Sequence, residues 1–233
     1  MITVRVNVSK DLARLRAAAG PDARKVERDF MIKHGRALVS SSGATPGLVQ
    51  ITAPFSRGVR GAAARKAGEG AVETDIRRVL FPVDHSSSAL AAMIPDIHRD
   101  ARSRSTGRVR RNNRKPKPAP AAALKKYIKL KQKLVGLLAA AVVGSAEAKL
   151  GSLKGVPAWV RRHTSKGGGS CLLTENAGGI TVSVQNTSPR IQADLQRKWD
   201  YATGYRLNAM RRDIPFAAKA LEKKLQLALS GPA

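Results

Sequence analysis

Between residues 99 and 133 the chain carries 14 lysines and arginines and a single acid, Asp100. No protein interior accommodates such a stretch, because each buried, uncompensated charge costs several kcal/mol. Whatever the rest of the chain folds into must leave this segment at a surface. The segment holds about half of a formal net charge of +27, which arises from 43 Lys plus Arg against 16 Asp plus Glu in 233 residues. An excess of this size repels itself and is relieved by phosphate or another acidic surface. It constrains partners and leaves the fold open.

The segment reads in two parts. Residues 102–120, RSRSTGRVRRNNRKPKPAP, have almost no apolar content and several prolines, which predicts a flexible basic arm or linker over 99–120. From Ala121 the composition turns to helix formers, and one long helix is expected to run to about Leu150. The candidate nucleic-acid-binding residues are Arg99, Arg102, Arg104, Arg108, Arg110, Arg111, Arg114, Lys115, Lys117, Lys125, Lys126 and Lys129. Such side chains neutralise backbone phosphates with release of counterions, which gives salt-sensitive binding with little regard for sequence. Only Tyr127 is an aromatic neighbour, so base stacking and base reading are not expected.

Hydrophobic residues make up 42% of the chain but aromatics only 4%, so the core must be built from Ala, Leu, Val and Ile. Burial per residue is then modest, and completion of the core by neighbouring subunits is an expectation. A lone cysteine, Cys171, excludes an internal disulfide and an all-cysteine metal cluster. The opening MITVRVNVSKD shows neither an apolar signal core nor an Arg-rich presequence. The longest apolar run, Leu134 to Ala146, falls short of a bilayer span and reads as a core helix.

Along the chain, Ile2, Val4, Val6 and Val8 alternate with polar residues as in a half-buried strand. Ser9 can cap a helix to about Ala19, and Gly20-Pro21 breaks it before a second helix to Val39. Residues 40–60 read as a loop, Gly61 to Phe81 as a helix, and Ser86 to about Arg102 as a helix interrupted at Pro95. Pro157 to Val160 is a packing element, with a Gly-rich turn at Lys166 to Gly169. Ser170–Thr174 and Ile180–Gln185 form a hairpin across ENAGG. Ser188 and Pro189 open a helix to about Arg212, and Asp213 with Pro215 starts a separate terminal helix. The expected fold is α+β and helix-rich, with a small antiparallel sheet flanked by helices. Its parts are an N-terminal α+β region (1–98), the arm (99–120) and a C-terminal region of helix, β-hairpin and helices (121–233).

No constellation nominates an enzyme. His34, His85, His98 and His163 are scattered, and no pair sits at metal-ligand spacing. Asp84-His85-Ser86 has the residues of a triad, but sequence neighbours do not converge as separate elements do. His163 with Cys171 could make a thiolate pair, yet an incidental small Cys is the simpler account. Gly167 to Gly169 lack the strand, GK[ST] ending and helix of a phosphate loop. Catalytic residues, metal ligands and cofactors are therefore not expected. Trp199, Tyr201 and Tyr205 cannot share one helical face, which leaves core packing or a subunit contact for each.

Three stretches carry a family resemblance. TAPFSRGVRGAAARKAGEGAVETDIRRVLFPV is similar to segments of phage morphogenesis proteins. PAWVRRH followed by GGITVSVQNTSP, and the terminal RRDIPFAAKALEKKL, resemble the minor tail and tail-completion proteins of tailed bacteriophages, which sit at the head-to-tail joint. The resemblance covers about half the chain. It implies a small α+β subunit without catalytic residues, assembled as a homo-oligomeric ring in a virion built in the host cytoplasm. Its implied neighbours are portal, connector or tail-tube proteins and double-stranded DNA, with no membrane. The chain departs from the type in its length and in the arm from Arg99 to Lys117. The competing expectation is a free, non-specific nucleic-acid-binding protein of the nucleoid, packaging or RNA-associated kind.

Overall fold

The computed structural model describes residues 2–7, 13–40, 47–52, 61–102, 108–109, 115–166, 168–176, 179–187 and 193–229. In chain order the elements are β1 (Ile2–Asn7), α1 (Ala13–Ala19), α2 (Ala23–Val39), α3 (Leu48–Thr52) and α4 (Gly61–Arg77). Next come β2 (Leu80–Val83), α5 (Ser88–Ala101), β3 (Lys117–Pro120), α6 (Ala121–Gln132) and α7 (Leu137–Leu150). α8 (Ala158–Arg161), β4 (Gly169–Asn176), β5 (Gly179–Asn186) and α9 (Ala193–Leu229) complete it. The fold is α+β, with two small sheets set among helices.

The first strand finds its partner near the other end of the chain. β1 pairs antiparallel with β5, Val4 opposite Val184, and β5 pairs antiparallel with β4, Val184 opposite Cys171. Ile180, Val182 and Val184 alternate along β5 and are all buried, as a one-sided sheet requires. α2 and α7 lie against this sheet, and α9 runs along α1 and β1. The first half of α7, Leu137 to Val143, is apolar on every side, and Ala139 to Val143, Ala146 and Leu150 are buried because the helix runs through the middle of this core. Gly169 lets α7 approach: a Cβ there would lie 1.7 Å from the Ala141 carbonyl oxygen. No described helix is long and apolar enough to cross a membrane.

Three of the few large aromatics, Phe30, Trp159 and Trp199, lie in the principal core. Trp199 is fully buried, and its indole N–H donates to Thr52 Oγ1 at 3.3 Å. Phe30 stacks obliquely on His34, ring centroids 4.4 Å apart. Trp159 and Val160 are buried, as expected of the Pro157 to Val160 element.

Several boundaries differ from the sequence expectations. The helix from Gly61 ends at Arg77, and Leu80–Val83 is a strand. Pro95 does not interrupt α5, which Ser87 caps by accepting from the Leu90 N–H. The helix expected from Ala121 to Leu150 is two helices. Gly136 stands between them at φ +97, where a Cβ would sit 2.8 Å from the Trp159 ring, so neither a side chain nor an αR backbone fits. The helix expected to restart at Asp213 never stops: α9 continues through Pro215, which is exposed. Within the expected loop 40–60, Leu48–Thr52 is a short helix. Ser9, Ser188 and Pro189 lie outside the described residues.

The expected arm over 99–120 is also partly structured. Residues 99–101 close α5, Arg102 and Val109 form a β-bridge, and Lys117–Pro120 is β3, paired parallel with β2. Pro118 and Pro120 alternate with Lys117 and Ala119, so the missing N–H groups fall on one edge while Lys117 N–H donates to the Val79 carbonyl at 2.8 Å. Arg104, Arg110, Arg111 and Arg114 lie outside the described residues.

Candidate nucleic-acid interface

A second, smaller core underlies the basic segment. Ile76 of α4, Val79 just after it, Leu80 of β2, Ile94 and Ala101 of α5, Ala119 of β3, and Leu124 and Ile128 of α6 pack together with Val109. The basic side chains of the described residues are mounted on the outside of this unit. On α6, Leu124 and Ile128 point inward and Lys125, Lys126 and Lys129 are exposed, within an arc of about 100°. Lys129 and Lys131 stand in the last turn, where cations offset the helix dipole, so part of this charge has a structural use. That use does not extend to Lys125 and Lys126, nearer the middle of the helix.

The other candidates are less alike than their spacing suggests. Lys115 and Lys117 are exposed and line a shallow pocket of about 170 Å³ together with Met93, Ile97, Asp96 and Asp100. Arg99 lies 2.9 Å from Asp96 and 3.5 Å from Asp100, so two carboxylates already compensate it. Arg102 and Arg108 are exposed; Arg102 is one partner of the bridge to Val109, and Arg108 adjoins the other.

That bridge is held by residues the sequence did not nominate together. Asp75 Oδ1 accepts the Val109 N–H at 2.9 Å, and Asp75 Oδ2 lies 3.4 Å from His98 Nε2. His98 Nδ1 is 3.0 Å from the Tyr127 hydroxyl, and Lys131 Nζ sits 5.1 Å from the Tyr127 ring centroid. Burial alone would raise the Asp75 carboxyl, but hydrogen bonds from His98 and Val109 and the charges of His98 and Arg102 outweigh it and hold it below 3.8. Asp75 thus fixes one end of the Arg-bearing stretch to the platform. The three residues come from α4, α5 and α6, 52 positions from first to last, and no short motif links them.

This arrangement yields a test whose sign separates two effects. Asp75→Ala removes both a negative charge and the acceptor of the Val109 N–H; loss of the charge by itself should, by bulk attraction, tighten binding to a polyanion. Loss of the anchor acts oppositely, and we expect weaker binding of duplex DNA, by about threefold to tenfold, together with loss of amide-exchange protection at Val109. Binding that tightens, with Val109 still protected, would remove Asp75 from this role.

Elsewhere the geometry offers little chemistry. Asp84, His85 and Ser86 are each exposed in the loop after β2. Burial pushes the Cys171 thiol up to about 11, against the pull of Lys149, so it is not a thiolate near neutrality. His163 is held below 6.5 by burial and by Arg162, whose Nε donates to His163 Nε2 at 3.0 Å. Among the described residues no group of three His, Cys, Asp or Glu side chains could hold a metal ion. Neither a family model, nor a curated protein, nor a solved structure matches this chain.

Proposed function

We propose that this chain is a non-enzymatic structural protein of a tailed-bacteriophage particle, at the head-to-tail neck or in the tail. In this reading it assembles as a homo-oligomeric ring and rests the backbone of double-stranded DNA on its basic surface. The observation that carries the DNA contact is the row of exposed Lys125, Lys126 and Lys129 on a helix seated on its own small core, beside Lys115 and Lys117. Cations on a rigid mount, with no array of stacking aromatics beside them, suit phosphates and not bases. The placement in a particle is supported by the three stretches that resemble phage morphogenesis, minor tail and tail-completion proteins.

Sedimentation and duplex-DNA retardation of the purified protein, run across a salt series, test both halves. The expected result is a closed ring that retards DNA of any sequence and releases it steeply as salt rises. A monomer that is stable at low salt and leaves DNA unretarded would overturn the proposal. A monomer or dimer that still binds DNA would favour the free nucleic-acid-binding alternative, and mass spectrometry of purified particles would then decide.

A further inference from the structure

α9 is 37 residues long, and its buried side chains, Trp199, Ala202, Met210, Ile214 and Ala218, occupy one side. On the other side Tyr201, Tyr205, Phe216 and Leu227 fall within about 80° at 100° per residue. Tyr201 is 74% exposed, Phe216 75% and Leu227 62%. The steps from Tyr205 to Phe216 and on to Leu227 are three turns each and drift by only about 20°. The row therefore follows the helix axis for about 39 Å. Exposed apolar side chains scattered singly need no explanation, but a straight row of them marks an interface.

Charge selects the occupant. From Lys198 to Leu227 the same arc holds the exposed cations Lys198, Arg212, Lys219 and Lys223 and no acid. Glu222 lies about 60° to one side, and Asp213, on the other, faces His34 at 3.4 Å. A second copy would bring two such cationic rows together on chains of net charge +27. Single-stranded nucleic acid is disfavoured as well, since stacking of successive bases fails across the gap of about 16 Å between Tyr205 and Phe216.

We propose that this row docks an acidic amphipathic helix of a different protein. The partner helix lies lengthwise along α9, its apolar stripe on Tyr201 and Phe216 and its carboxylates opposite Arg212, Lys219 and Lys223. The site stands apart from the DNA reading, which concerns other elements.

The test uses the full-length protein and two synthetic helical peptides of about 28 residues, with the same leucine stripe flanked by glutamates in one and by lysines in the other. Fluorescence anisotropy at 0.15 M salt should show binding of the glutamate peptide alone. The double substitution Tyr201→Ser with Phe216→Ser should weaken that binding at least tenfold while leaving duplex-DNA retardation and the melting temperature unchanged. The triple substitution Lys125→Gln, Lys126→Gln and Lys129→Gln should leave peptide binding intact. Equal binding of both peptides, binding of neither, or indifference of the glutamate peptide to the double substitution would each overturn the proposal. So would self-association that the double substitution abolishes, which would make a second copy the occupant.

Discussion

Replacing Lys125, Lys126 and Lys129 together with glutamine is expected to lower the affinity for duplex DNA by several hundredfold at about 0.1 M salt. The size follows from counterion release. Each phosphate contact contributes about 0.9 to the slope of log K against log salt, so three contacts account for a slope of about 2.7. All three side chains are exposed and none bears on the second core, so the folded state should survive the substitution. The measurement is a titration of labelled duplex at four or five salt concentrations, with wild type and variant side by side. An unchanged slope would mean that the α6 lysines do not touch phosphate, and attention would shift to Lys115, Lys117 and the arginines between Arg102 and Arg114.

The second large effect is on stability and comes from His34. Its ring is buried against Phe30, and neither nitrogen has a hydrogen bond among the described residues, although Asp213 lies 3.4 Å from Nε2. Burial, helped by Lys33 and Arg206 and opposed by Asp213, lowers its pKa from 6.5 to about 4. The unfolded chain therefore binds a proton at this position between pH 6.5 and 4 and the folded chain does not. Stability is complete above pH 6.5 and declines as the pH falls toward 4, by about 3 kcal/mol at the lower end. Denaturant melts of wild type and His34→Phe over that range should diverge by this amount, with the variant flatter. Parallel curves would show that His34 ionises alike in both states.

What the sequence disclosed tracks the range of the interactions involved. Strand alternation at Ile2 to Val6, the hairpin of Ser170 to Gln185 and the apolar run within α7 are local periodicities, and each formed its element. The basic run was visible as composition, and the exposure of Lys125, Lys126 and Lys129 follows from helical spacing with Leu124 and Ile128. Prolines misled at two kinds of place. Pro95 and Pro215 suggested helix ends, but at exposed positions tertiary packing carries the helix past the lost hydrogen bond. The KPKPAP stretch suggested an arm, but its prolines occupy alternate positions, and an edge strand tolerates them there. Asp75, His98 and Tyr127 could not be joined in advance, because only the packing of three helices brings them together. The row on α9 was half visible. Tyr201 and Tyr205 stood off the Trp199 face, but the match to Phe216 and Leu227 needed the helix to run unbroken through Pro215.

The order of the larger sheet also sets a clock. β1 is made first, and its partner β5 follows about 170 residues later, which at ribosomal rates is a wait of roughly 10 to 35 s. Throughout that interval the first strand has no intramolecular edge to join, and the principal core stays open. A nascent or truncated chain is thus barred from presenting the finished sheet. Any assembly that recognises this sheet would admit only subunits whose synthesis has passed β5, a form of quality control written into the connectivity.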